Sequence, residues 1–192
     1  MIAGLILAAG AGTRFGPESP KLLAPLHGRP LLEHAIAAQC AVPELERIVV
    51  VVGARAQEIL DIVDFQRAEP VICADWQDGQ SASLRCGVRA LAGADKVIVT
   101  LGDSPLITPA VISRFLAEPP GARALYHGTP GHPVVLGPAQ LEAASTALGG
   151  DRGARDMLAA GPMIECADLC SGRDVDTPDD LEAIRHEARA VV

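Results

Sequence analysis

Leu7-Ala8-Ala9-Gly10-Ala11-Gly12-Thr13-Arg14-Phe15-Gly16, with Pro20-Lys21-Leu22-Leu23 close behind, is the most informative part of the chain. It follows an apolar run over residues 2–7 whose length and composition predict a buried strand. Glycines placed directly after such a strand free backbone N–H groups to converge on an anion, because no Cβ obstructs close approach or a positive φ. Arg14 and Lys21 add two long cations. A triphosphate carries about four negative charges, more than a glycine nest balances alone, so flanking cations suit it.

Two familiar phosphate loops fail on single residues. A dinucleotide fingerprint needs GxGxxG opening a helix, but position 15 is Phe, and Pro17, Pro20, Pro25 and Pro30 keep the chain irregular. A Walker A loop needs Gly-Lys-Ser/Thr, which is absent. The plain alternative is a structural glycine turn with solvated Arg and Lys. The loop's length, its two charges and its place after the first strand weigh against that.

Working outward, apolar β-branched runs recur at residues 47–52, 70–73, 96–101, 122–126 and 133–136. Between most of them lie amphipathic segments: Leu31, Leu32, Ala35 and Ile36 share a helical face, as do Leu84, Val88 and Leu91, and Val111, Ile112, Phe115 and Leu116. Apolar strands alternating with helices predict an α/β fold, a mostly parallel sheet covered on both faces. Around 122–136, two extended runs separated by His127-Gly128-Thr129-Pro130-Gly131 predict a short antiparallel excursion. Thr108-Pro109 and Thr177-Pro178 each place a hydroxyl at a helix N-cap and proline at the first helical position. Asp103 and Asp176 precede these helices, where an open α/β sheet gathers its ligands.

Composition bounds the rest. A chain of 192 residues is expected to form one domain over 1–192. It is 49% apolar and only 3% aromatic, which leaves little for base-stacking platforms. A net charge of −8 disfavours nucleic acid as a partner while allowing a small anion in a local basic pocket. No 18-residue apolar run exists, so no membrane span is expected, and the apolar start lacks the basic region of a signal peptide. Cysteines at 40, 73, 86, 166 and 170 form no CxxC pair and read as reduced structural thiols of a cytoplasmic protein.

The run LAAGAGTRFG…PKLL, with GRPLLEHAI behind it, resembles the nucleotidyltransferases of the molybdenum cofactor, specifically the cytidylyltransferase group. Similar blocks follow in order: Trp76…GQSASLRCG from Gly79, LGDSP from Leu101, GHPV from Gly131, GDRGAR from Gly150 and DVDTPDDL from Asp174. The resemblance spans almost the whole chain. It implies a Rossmann-like, three-layer nucleotidyltransferase domain that uses a nucleoside triphosphate and Mg²⁺ and releases pyrophosphate. One departure is Ser104, where the family often carries Gln or Met.

Nucleotidyl transfer asks for alignment and charge neutralisation rather than covalent protein chemistry. Mg²⁺ takes hard oxygen ligands, and the resemblance places Asp103 and Asp176 at the metal. Arg14 and Lys21 are expected at the triphosphate, with Lys21 reaching the α-phosphate; together with Asp103 they form the expected catalytic set. Ala8, Ala9 and Gly10 would border the base and Gly12 the phosphates, Leu7 joins them among the expected nucleotide contacts, and Ser81 and Ser83 add hydroxyls before a helix. His132, Asp151, Arg152 and Arg155 are the expected acceptor contacts; a packed loop histidine and surface ion pairs are the ordinary alternatives. Asp174 and Asp179 read as solvated or dipole-compensating acids. The implied substrates are CTP and a phosphorylated pterin-type acceptor, with a recipient molybdoenzyme or its chaperone as a possible partner. A GTP-using or differently directed nucleotidyltransferase, and a non-catalytic nucleotide or cofactor carrier, stay open.

Overall fold

A computed structural model describes residues 1–16, 20–146 and 161–189. In chain order, β1 (Ile2–Ala8) leads through two short 3-10 turns, Thr13–Phe15 and Lys21–Leu23, into a small hairpin of β2 (Pro25–Leu26) and β3 (Arg29–Pro30). Then come α1 (Leu31–Cys40), β4 (Arg47–Val52), α2 (Ala56–Ile62), β5 (Glu69–Ile72), α3 (Gln80–Ala90), β6 (Lys96–Leu101) and α4 (Pro109–Arg114). β7 (Arg123–Tyr126), β8 (Thr129–Leu136), α5 (Pro138–Thr146), β9 (Met163–Glu165) and α6 (Pro178–Arg189) complete the described elements.

The large sheet has the order β5-β4-β1-β6-β8-β7-β9. β5, β4, β1 and β6 are mutually parallel, β9 runs parallel to β7, and β8 runs against both its neighbours. This is the expected α/β architecture, with β8 as the antiparallel excursion.

Alternation along the strands divides the core. Ile6, Ile48, Val50 and Ile98 pack with Leu32 and Ile36 of α1 and with Val111, Ile112 and Phe115. Leu5, Val49, Val51, Val97 and Val99 pack instead with Leu84, Val88 and Leu91 of the α3 region. Strands buried on both faces are uniformly apolar, which is why their sequence runs lack an in-out alternation.

Three details differ from expectation. The β7–β8 connection is two residues, His127 (φ 50°) and Gly128 (φ 84°), not five; both take positive φ, as a tight hairpin turn of this hand demands. Thr129 and Pro130, read as loop, therefore already pair with Tyr126 and Leu125. β9 and the β2–β3 hairpin are too short to signal themselves in sequence. Among the described residues no helix is long and apolar enough to cross a membrane, and all five cysteines are free thiols.

Candidate active site

β1, β4 and β6 end side by side, and their continuations stay in contact: Ala54 N donates to Ala9 O at 3.0 Å and Gly102 N to Leu7 O at 2.9 Å. This is the carboxyl-end crevice in which open α/β sheets bind ligands. The glycine loop rims it. Gly12 sits at φ 61°, and a Cβ there would lie 3.1 Å from Lys21 Cβ, so both conformation and space call for glycine.

Lys21 opens a 3-10 turn whose next residue, Leu22, is buried. That anchor leaves the Lys21 side chain only 11% exposed, with Nζ 2.5 Å from Asp103 Oδ2 and 3.5 Å from Asp176 Oδ1. Phe15, also buried, pins the turn carrying Arg14. Arg14 Nη1 lies 3.0 Å from Asp176 Oδ2 while its side chain stays 74% exposed. Four residues singled out in sequence thus form one ionic cluster, with two acids converging on one ammonium.

The acids are held from behind. Val175 is fully buried, and its N–H donates to Asp103 O at 2.9 Å. At the start of α6, Asp180 Oδ2 accepts from Asp176 N (3.1 Å) and Thr177 N (2.8 Å), while Asp180 N donates to Thr177 Oγ1 (3.2 Å). This reciprocal cap fixes the Asp176 backbone, and the Thr177 hydroxyl and amide hold the Asp180 carboxyl below its ordinary range. Buried Ser104 donates to Asp174 Oδ1. Burial, followed by the charges of Asp103 and Asp176, outweighs that hydrogen bond and pushes the Asp174 carboxyl up to about 6. Asp174 is therefore not a freely solvated acid: the residue is exposed, but its carboxyl is engaged inward. Asp179 is exposed in the first turn of α6, as expected.

Beside the cluster lies an open cleft of about 340 Å³, lined by Ala11, Thr13, Gly16, Pro20, Ala54, Arg55 and Trp76. Gly53 makes the Trp76 wall possible, because a Cβ there would meet Trp76 Cβ at 2.5 Å and Ala9 Cβ at 2.8 Å. Ala54 and Arg55 went unnoticed in sequence; their signal was the Gly53-Ala54 break directly after the apolar run 47–52. Of the residues expected at the base, Leu7 and Ala8 belong to β1, and Ala9 is 3% exposed, its methyl packed against the Gly53–Trp76 contact. The Ala9 methyl thus stands behind the Trp76 wall. Gly10 is exposed and lines a small pocket with Lys21, Ala54 and Arg55.

Ser81 and Ser83 are buried in the first turn of α3, whose N-cap is Gly79, and Ser81 Oγ has no hydrogen-bond partner among the described residues. His132 lies on β8; the register Val99–Val134, continued, runs it toward the end of β6 and Asp103. Its backbone O accepts from Tyr126 Oη at 2.7 Å, and burial, reinforced by Arg123, lowers its pKa to about 4. Asp151, Arg152 and Arg155 lie outside the described residues.

Asp103 and Asp176 offer hard oxygens aimed at one point. Among the described residues no three His, Cys, Asp or Glu side chains form a metal cage. Two carboxylates supplemented by phosphate oxygens and water is the donor set that suits Mg²⁺, so these residues fit such an ion.

A mostly parallel α/β sheet whose strand ends carry a glycine loop, two cations and a converging acid pair defines an enzyme of the nucleotidyltransferase class. The chain belongs to the MobA-like NTP transferase domain family, whose model matches residues 4–165. It is 32% identical over 194 residues to nicotine blue oxidoreductase of Paenarthrobacter nicotinovorans, covering 94% of each chain. It is 36% identical over 129 residues to 2-C-methyl-D-erythritol 4-phosphate cytidylyltransferase of Cereibacter sphaeroides, covering 62% of this chain and 56% of that one. The chain thus spans about half the length of that enzyme, and 25% of the bifunctional protein GlmU of Acidithiobacillus ferrooxidans. Among solved structures, a nucleotidyl transferase from Methanothermobacter superposes with TM-score 0.83 at 22% identity, covering 100% and 99% of the two chains. A manganese complex of Rv0371C from Mycobacterium tuberculosis H37Rv gives TM-score 0.76 at 24% identity over 96% and 98%.

Proposed function

We propose that this chain transfers CMP from CTP to the phosphate of a pterin-type acceptor, with Mg²⁺ as the metal and pyrophosphate as the leaving group. The observation that carries the reading is the Arg14–Lys21–Asp103–Asp176 cluster at the carboxyl ends of the strands. Transfer forms a bond from an acceptor phosphate oxygen to the α-phosphorus and breaks the bond to the β-phosphate oxygen. Both partners are anionic, so neutralisation and alignment dominate the barrier. Lys21, pinned by buried Leu22, supplies a positive charge where the α-phosphate passes through its transition state. Exposed Arg14 takes the outer phosphates, and the backbone around Gly10 and Gly12 approaches them closely. Asp103 and Asp176 would hold the metal, which supplies charge neutralisation to the triphosphate; the manganese complex of a protein with the same fold is consistent with a divalent ion there. The Trp76 cleft receives the base and ribose. His132, neutral at pH 7, is assigned to the acceptor, and so from sequence alone are Asp151, Arg152 and Arg155.

Similarity to a cytidylyltransferase over 129 residues, 62% of this chain, supports CTP. The match along nearly the whole chain to a protein named an oxidoreductase favours a second reading, reduction of a substrate by a nicotinamide nucleotide held in the same cleft. Both are tested together: the purified protein is incubated with Mg²⁺, a molybdopterin-type acceptor and each of four nucleoside triphosphates, then separately with NADH and NADPH. Pyrophosphate release with a CMP-bearing product supports the first reading. Nucleotide oxidation without any nucleotidyl product replaces it with the second.

A further inference from the structure

Ser104 adjoins Asp103, and Asp174 stands two places before Asp176, so a single hydrogen bond joins the neighbours of both acids. We infer that the Ser104–Asp174 contact is a positioning latch, which sets the two acids relative to one another and keeps Asp174 out of their company. The inference rests on the reading of Asp103 and Asp176 as the metal ligands.

Three features carry it. Ser104 is 1% exposed, so its hydroxyl cannot exchange Asp174 for water, and loss of this donor leaves the contact unreplaced. The Val175 N–H to Asp103 O bond runs beside the latch as a second link between the same two loops. Val175 itself is anchored with Phe15, Leu26, Leu31, Leu181 and Ile184. Finally, Asp174 stands two residues from Asp176 with its carboxyl taken up by Ser104, and among the described residues the three carboxylates form no cage. Ser104 holds the Asp174 carboxyl through Oδ1. Released, it would compete for the cation or push Asp176 aside. Latched, it leaves two protein carboxylates and the remaining coordination positions to phosphate oxygens and water. Neither Ser104 nor Asp174 touches substrate in this scheme; both act through the acids.

Mn²⁺ binding by the full chain in the presence of CTP, followed by electron paramagnetic resonance, tests the latch independently of any acceptor. Ser104→Ala is expected to weaken Mn²⁺ binding about tenfold or more, the range found when groups supporting a metal ligand are lost. It should lower kcat with little change in the nucleotide KM and leave Tm nearly unmoved, and Ser104→Thr, which keeps the hydroxyl, should restore most of the loss. Asp174→Asn keeps an acceptor for Ser104 and should bind Mn²⁺ within about threefold of wild type, whereas Asp174→Leu, which keeps none, should match Ser104→Ala. Wild-type affinity in Ser104→Ala, or equal affinities in the Asn and Leu variants, overturns the latch. The second comparison stands even if Ser104→Ala does not fold. Asp103→Asn is the control: undiminished Mn²⁺ binding there overturns the metal-site reading itself, a failure distinct from that of the latch.

Discussion

Lys21 Nζ lies between Asp103 Oδ2 at 2.5 Å and Asp176 Oδ1 at 3.5 Å, one ammonium serving two acids from distant parts of the chain. The same charge is wanted at the triphosphate, so the acids and the nucleotide compete for it. Lys21→Ala should therefore move two quantities in opposite directions. Its kcat/KM should fall by about a hundredfold or more, as a transition-state charge partner is lost, while Mn²⁺ binding to the protein alone tightens. Steady-state kinetics and Mn²⁺ titration read the two effects; weaker metal binding would show that Lys21 does not contend for the acids.

Asp103→Asn should nearly abolish turnover while preserving the fold, because one carboxylate at the metal stabilises charge worth several kcal/mol. Asp103 is not part of the core, and its loop keeps the Val175 link through a backbone carbonyl. A variant retaining a third of wild-type kcat at saturating Mg²⁺ would remove Asp103 from the mechanism.

CTP should be preferred over GTP, with selectivity routed through Trp76 rather than delivered by the Ala9 methyl directly. Ala9 and Trp76 meet at Gly53, so Ala9→Gly loosens the wall that a base would rest against. A change of one methyl is worth about 1–3 kcal/mol, roughly 10- to 200-fold. Competition assays should show Ala9→Gly gaining GTP use relative to CTP by about tenfold, within that range. A wild-type kcat/KM for GTP equal to that for CTP would overturn the assignment of the base.

His132 makes stability depend on pH in a defined direction. Its pKa falls from 6.5 to about 4 on folding, chiefly through burial and secondarily through Arg123. Between those values the unfolded chain takes up a proton that the folded chain refuses, so this contribution is complete above pH 6.5 and declines as pH falls toward 4. Denaturant melts of His132→Gln across that window should show a shallower decline than wild type. Parallel curves would mean that His132 titrates alike in both states.

Thr177→Ala should cost about 1 kcal/mol of stability by removing the N-cap hydroxyl of α6. Because the same cap holds the Asp176 backbone, kcat should fall along with Tm. Thr108→Ala removes the corresponding cap of α4, where the hydroxyl accepts from Val111 N, and should lower Tm with less effect on kcat.

The sheet was legible because strands buried on both faces announce themselves as apolar runs, and five of its strands lie within a few residues of where those runs predict. The extent of β8 was not legible, since Thr129 and Pro130 look like turn residues and pair only because His127 and Gly128 accept positive φ. Within the site, Arg14, Lys21, Asp103 and Asp176 could be named from loop chemistry and family resemblance, but their mutual contacts belong to the fold. Arg55 was missed because a lone arginine after a strand resembles any surface cation, and only the Gly53-Ala54 break beside it marked the turn. Asp174 was misread because it stands in an acidic stretch beside exposed Arg173, while its partner Ser104 lies 70 positions away.

β8 meets β6 through Val134–Leu136, so its opening residues extend past that contact as an arm paired with β7 and tipped by His127-Gly128. One flank of the crevice is thus an appendage, whereas the other is made from the ends of strands locked into the centre of the sheet. A lineage can lengthen, shorten or recolour the arm without disturbing the glycine loop. Inheritance can in this way alter what arrives from one side while leaving the other side's chemistry alone.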